Sequence, residues 1–331
     1  MSDRRLDVLA IGNAIVDVIA DADDAFLAQQ QLDKGSMRLI DEAEAERLYG
    51  LMGSGRELSG GSAGNTAAGV AALGGKAGFI GQVADDQLGA IYRHDITSLG
   101  VEFTTLARSD VGATARSLIL VTPDAQRTMN TFLGAAQLLE SSAIDPAQIA
   151  QAKILYLEGY LWDPSAPRAA MEAAIDAARA GGTLVAFTLS DSFCISRHRA
   201  DFLRLIDEGK LDILFANEAE ITELTGAANF DEAVAQIAPK VPTLVVTRSE
   251  KGAIACRGAE QASVPAEPIG RLVDTTGAGD LFAAGFLAGE ARGLGLEQSL
   301  KLGAIAAAEV IQHYGARPEK DLKALAGDLL G

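Results

Sequence analysis

Short apolar runs alternate with longer mixed stretches along most of this chain. Asp7–Gly12 is β-rich and ends in glycine, which predicts a buried first strand. Ile15–Ala20 and Ser36–Ile40 read as two further strands, and Asp41–Leu48, with its acidic first turn, as a helix. From Lys76 onward, strand-length runs at Ala77–Gln82, Ile154–Leu157, Leu184–Thr188, Ile213–Ala216 and Leu244–Thr247 are separated mostly by helical periodicity. That alternation predicts an α/β fold with a parallel sheet covered by helices on both faces. The rhythm changes between Val101 and Phe132. Ala115–Val121 and Thr128–Phe132 are strand-like and joined by Thr122-Pro123-Asp124-Ala125-Gln126 with no helix, which predicts a hairpin. Together with the early strands it would make a small antiparallel sheet. No repeat, low-complexity tract or long linker divides the chain. One domain over 1–331, with lid strands from about 13–40 and 101–133, is the simplest account.

Two glycine turns interrupt this pattern, and each feeds an Ala-rich helix. The first is Ser59-Gly60-Gly61-Ser62-Ala63-Gly64-Asn65-Thr66-Ala67. The second, Asp274-Thr275-Thr276-Gly277-Ala278-Gly279-Asp280, runs straight into the apolar Leu281–Leu287. Gly277, Ala278 and Gly279 at a helix start would expose backbone N–H groups that lack intrahelical partners. Such a turn suits the charge on a phosphate oxygen. A carboxylate at its end, Asp280, is ill suited to binding phosphate and well placed to take a proton from an attacking hydroxyl. Anion hole and base together are the working pair of phosphoryl transfer to an alcohol. The plainer reading makes Asp280 a helix cap and the glycines a loop. The first turn lacks the lysine of a P-loop, so it is not a Walker site, and by itself it reads as a structural helix-entry turn.

Composition narrows the partners. The chain has 331 residues, 48% hydrophobic and 5% aromatic, enough for one large α/β core or two domains. Its net charge of −17 argues against a nucleic-acid or anionic-membrane partner, so a phosphate site must rest on local donors and a metal. Cys194 and Cys256 are far apart without ligand spacing and read as reduced thiols; the histidines are scattered singly, which argues against zinc. The apolar run Leu9–Ala20 is broken by Asn13 and Asp17 and is too short to span a bilayer, so the expectation is a cytoplasmic protein.

The stretch from Asp274 into the following helix resembles, almost letter for letter, the C-terminal signature of the ribokinase-like (PfkB) family of carbohydrate and nucleoside kinases. The resemblance implies Asp280 as catalytic base, with Gly277, Ala278 and Gly279 as the anion hole and Thr276 beside it for the nucleotide. The first glycine turn is similar to the family's N-terminal signature, which implies that Gly61, Ser62 and Asn65 bind the phosphoryl acceptor. Gly12, Asn13 and Asp17 stand at the family's first-strand position, whose Asp grips sugar hydroxyls; by itself Asp17 reads as a polar residue on a strand. Asn217 and Glu220 match the family's Asn-x-x-Glu, which implies a place for Mg2+ near the triphosphate; a capped, acidic helix start is the plainer reading. Thr247-Arg248-Ser249-Glu250-Lys251-Gly252 occupies the Thr-x-Gly-x-x-Gly loop that contacts ATP phosphates, with Ser249 where the family has glycine.

The resemblance runs from Gly12 to about Arg317 and implies a three-layer α/β/α fold with a mostly parallel central sheet and a β-sheet lid. In many members the lid also serves dimerisation, which implies a homodimer as partner. Gly12–Asp17, Arg127–Ala135 and Val310–Pro318 look most like the bacterial members acting on adenosine. Met37, Leu118, Leu120 and Phe132 are candidates to line an apolar slot for a base, with ordinary lid packing as the alternative. A sugar kinase would share every catalytic residue, and a nucleoside- or sugar-binding regulator without turnover is a third reading.

Overall fold

The structure, a computed structural model, describes residues 4–124 and 126–330. Its strands in chain order begin with β1 Leu6–Ile11, β2 Ile15–Asp21, β3 Met37–Leu39, β4 Gly55–Gly60, β5 Ala77–Ile80 and β6 Val101–Phe103. β7 Ala115–Val121, β8 Arg127–Phe132, β9 Ala152–Glu158 and β10 Leu184–Thr188 follow. The last are β11 Ile213–Asn217, β12 Thr243–Thr247, β13 Ala253–Arg257 and β14 Glu260–Val264. Among the described residues they form a nine-stranded sheet, β14-β13-β12-β11-β10-β9-β1-β5-β6, and a five-stranded sheet, β3-β8-β7-β2-β4. From β12 across to β6 each neighbouring pair of the large sheet is parallel. β13 and β14 add an antiparallel hairpin at one edge.

The central strands are buried on both faces, and their two-residue period sorts side chains between two helical layers. In β9, Ile154 and Tyr156 pack with Phe282, Phe286 and Leu300 from the helices Ala278–Arg292 and Leu296–Val310. Leu155 and Leu157 point the other way, to Met171, Ile175 and Phe202 of the helices Ser165–Gly181 and Ser192–Asp207. The result is the three-layer α/β/α arrangement.

The small sheet is entered directly from β1 through Gly12–Ala14. Val16 and Val18 of β2 align with Arg116 and Leu118 of β7, and Leu118 aligns with Asn130 of β8. Val16, Val18, Leu118 and Leu120 share a core cluster with Leu27 and Leu48, so this face is covered by the helices Asp24–Gln29 and Glu42–Leu51. The opposite face carries Asp17, Ser117 and Thr131, which are register partners.

Several elements depart from the sequence reading, and the small sheet is mixed rather than antiparallel, with β2 parallel to β7 and β3 parallel to β8. Val101–Phe103, assigned to the lid, instead pairs with β5 in the large sheet. Helix Gln87–Ser98 makes the crossover, and Phe103 stacks on its Tyr92 and on Phe79. β4 joins the lid from outside the expected segments; flanked by glycines and carrying Arg56 and Glu57, it lacks the apolar alternation of a buried strand and forms an edge. The β13–β14 hairpin was also not anticipated, since Ala253–Arg257 is weakly β-prone. Ala125 of the hairpin turn lies outside the described residues.

Candidate active site

The second glycine turn opens helix Ala278–Arg292. Gly277 is its N-cap in the left-handed region, φ +79°, and an added Cβ would stand 2.6 Å from the Cβ of Ala316, so only glycine fits. Leu281 N–H closes the first helical bond onto Gly277 at 2.8 Å. The Ala278 N–H donates to the Thr275 carbonyl at 3.2 Å. That takes it out of the expected donor trio. Among the described residues the N–H groups of Gly277, Gly279 and Asp280 have no acceptor, and nothing stands within 4 Å of where a Gly279 Cβ would be. An anion seated there would meet these donors and the positive end of a long helix.

Asp280 is not a cap. Its carboxylate accepts the Ser62 hydroxyl at 2.6 Å and the Asn65 amide at 2.9 Å, across from the other glycine turn. Burial raises its pKa, against the lowering effect of Ser62, Asn65 and the Arg317 charge. The helix Ser62–Ala72 that supplies both partners starts at Gly61, φ +84°, where a Cβ would collide with the Asn13 carbonyl at 2.1 Å. Asn65 is buried, and its Oδ1 has no hydrogen-bond partner. An orphaned acceptor beside the carboxylate fits a ligand hydroxyl.

Asp17 faces the same cleft. Its Oδ2 would stand 2.4 Å from a Cβ at Gly60, and burial pushes its carboxyl up to about 6, against the nearby Arg317 and Arg127 charges. Asn13 is placed differently from a free ligand-binding amide. Its backbone N–H and its Nδ2 both donate to Glu158 Oε1 at 2.7 Å, while Ala63 N–H donates to Glu158 Oε2 at 2.8 Å. Glu158 is fully buried, and desolvation drives its carboxyl up to about 7 despite these three donors. The sequence reading missed it. An acid ending the apolar strand Ile154–Leu157 was the available signal.

The carboxyl ends of β11 and β12 carry the other predicted residues, and the sheet register sets Asn217 beside Thr247. Asn217 and Glu220 form a capping box: Asn217 N–H and Nδ2 donate to the two Glu220 oxygens at 3.0 and 2.7 Å, and Glu220 N–H returns to Asn217 Oδ1 at 2.8 Å. Burial lifts Glu220 to about 7. Among the described residues no three His, Cys, Asp or Glu side chains gather into a metal cage. A lone carboxylate with both oxygens already hydrogen-bonded fits an ion held chiefly by phosphates and water. Ser249, in place of glycine, keeps the left-handed backbone at φ +51°, and Gly252 at φ +88° passes so close to the Val264 carbonyl that no side chain fits. Tyr160, just beyond β9, is exposed, and its hydroxyl donates to the Ser190 carbonyl at 3.2 Å.

The fold also gives contacts to a residue whose role the sequence pattern did not announce. Arg127 on β8 pairs with Asp274 and donates to the Thr276 hydroxyl at 3.1 Å; Asp274 in turn accepts Thr276 N–H at 3.0 Å. A guanidinium from the lid thus sits against the anion turn. Leu118, Leu120 and Phe132 lie on the helix-covered face of the lid, opposite Asp17, so they do not line the cleft. Met37 aligns with Met129, and Met129 with Ile119, on the Asp17 face.

A three-layer fold holding a carboxylate at the rim of an anion turn, under a small sheet, is that of kinases that transfer phosphate to a hydroxyl group. The pattern of the pfkB family carbohydrate kinases matches residues 7–322, and the chain belongs to that family. A probable sugar kinase protein from Rhizobium etli CFN 42 is 49% identical, with a TM-score of 0.90 over 98% of each chain. Adenosine kinase from Sinorhizobium meliloti is also 49% identical, with a TM-score of 0.89 over 97% of this chain and 98% of that one. Adenosine kinase from Saccharomyces cerevisiae is 27% identical over 93% of this chain and 95% of its own. The chain is therefore a phosphotransferase acting on a hydroxyl group, and membership implies ATP as donor. Among the described residues no helix is long and apolar enough to cross a membrane.

Proposed function

We propose that this chain transfers the γ-phosphate of ATP to the 5′-hydroxyl of adenosine, giving AMP and ADP. The observation that carries the acceptor is the lid register. Asp17 and Ser117 share a face with Met37, Met129 and Ile119, a polar grip beside an apolar surface, as a ribose joined to a base requires. Likeness to the Sinorhizobium adenosine kinase supports the same choice.

Asp17 and the free Oδ1 of Asn65 accept from the ribose hydroxyls. Asp280 Oδ takes the proton of the attacking hydroxyl as its oxygen bonds to the γ-phosphorus and the bond to ADP breaks. The N–H groups of Gly277, Gly279 and Asp280 hold the charge on the transferring group, and the Arg127 guanidinium, tied to Asp274 and Thr276, flanks the same turn. In such loose transition states positioning supplies much of the rate and the base acts late. Glu220 would help hold Mg2+ beside the triphosphate, and the ion would supply neutralisation of the phosphate charge. Thr247, Ser249 and Gly252 shape the loop under the phosphates.

The test offers adenosine, fructose and ribose together at equal concentration and identifies products by mass. AMP is expected to dominate. A preference of tenfold or more for a free sugar overturns the nucleoside acceptor and leaves a sugar kinase on the same machinery.

A further inference from the structure

Beyond the helix Leu296–Val310 the chain returns to the cleft and inserts Arg317 beneath the acceptor turn. Arg317 Nη2 donates to the Ser59 carbonyl at 2.7 Å and to its Oγ at 3.0 Å, and Nε reaches the same carbonyl at 3.2 Å. Nη1 donates to the Gly64 carbonyl at 2.8 Å. One planar fork thus ties lid strand β4 to the helix Ser62–Ala72. Asp95 holds Ser59 from the other side, accepting its N–H at 2.7 Å and its hydroxyl at 2.6 Å.

Each residue gripped by the fork leads, one position on, to an acid of the cleft. After Ser59 comes Gly60, packed on the Asp17 carboxylate. After Gly64 comes Asn65, which donates to Asp280. Among the described residues no carboxylate comes within 4.0 Å of the Arg317 guanidinium, so its charge acts on the surrounding acids rather than in a closed ion pair.

We propose that Arg317 is a positioning residue for the transfer step, setting the spacing of the acceptor turn and holding Asp17 and Asp280 in their anionic forms. The groups facing Asp280 are Arg317 from the C-terminal segment, Asp17 from the lid, Glu158 and Tyr156 from β9, and Tyr160 just beyond it. Those facing Asp17 are Arg317, Arg127 from β8, Asp280 and Asp274. Without Arg317 the acids face mostly other acids, and their protonation is favoured. The inference rests on Asp280 as the base.

The test is the pH dependence of kcat/KM in Arg317→Gln and Arg317→Lys. Gln keeps donors for the carbonyls and loses the charge; Lys keeps the charge and loses the fork. Activity needs the ionised carboxylates, so the acid limb is expected to move up by about one pH unit in Arg317→Gln. In Arg317→Lys it is expected to stay at the wild-type position, with the defect appearing as a raised acceptor KM. An unmoved limb in Arg317→Gln overturns the proposal and leaves a mechanical tie; a limb displaced as far in Arg317→Lys overturns it too. If the Gln chain does not fold, Arg317→Met, which also lacks the charge, takes its place under the same criterion. The base assignment fails separately, if Asp280→Asn keeps near-wild-type turnover.

Discussion

Replacing Asp280 by Asn separates proton transfer from geometry. The Ser62 hydroxyl now donates to Asp280 at 2.6 Å, and it can rotate to accept from the new amide. The Asn65 amide, at 2.9 Å, keeps an oxygen to donate to. Local structure should therefore survive, and with it ATP binding, since the donors of the anion turn are backbone groups. Loss of the proton acceptor should cost roughly 10²-fold or more in turnover, about 2.7 kcal/mol of barrier. Stability has offsetting changes. Burial disfavours the ionised Asp280, so the neutral amide removes that cost, while Arg317 loses an anion beside it. The thermal midpoint should stay within about 3 °C of wild type for a chain of this size. The assay is initial-rate ADP release under saturating substrates, with ATP affinity by equilibrium binding and a melt on the same preparation. Near-wild-type turnover would refute the assignment, and so would a rate loss explained by weakened ATP binding.

Glu158 is raised from 4.5 to about 7, so its contribution to stability is full below pH 4.5 and is lost as pH rises to about 7. Glu158→Gln should flatten that part of a pH–denaturation profile, yet destabilise the fold by about 1–3 kcal/mol at pH 5, because its amide N–H₂ faces a donor N–H of Ala63 or Asn13; an unchanged midpoint at pH 5 counts against a stabilising role for the Glu158 bonds to Asn13 and Ala63. Glu220→Gln should raise the magnesium concentration for half-maximal rate while acceptor KM holds. A lowered melting point with unchanged magnesium dependence would make Glu220 only a helix cap.

Much of the fold and part of the site can be read from local pattern. Apolar runs of strand length separated by helical periodicity specify a parallel α/β sheet, and the period of two within each run predicts two buried faces. The turn from Asp274 to Asp280 announces a helix N-terminus with free N–H groups, because glycine and chain direction act within a few residues. Tertiary structure decided what those pieces do to one another. Ser62 and Asn65 reach Asp280 only because the two glycine turns meet across the sheet. Ala278 left the donor set through a bond to Thr275 that depends on the turn's actual geometry. Register placed Leu118 and Leu120 behind the lid and Met129 in front, since a shift of one residue exchanges the faces. Glu158 carries no local motif, and the runs that hold Arg127 and Arg317 announce no role for either. Their roles come from burial and from partners far along the chain, where desolvation and long-range pairing, rather than propensity, set the energy.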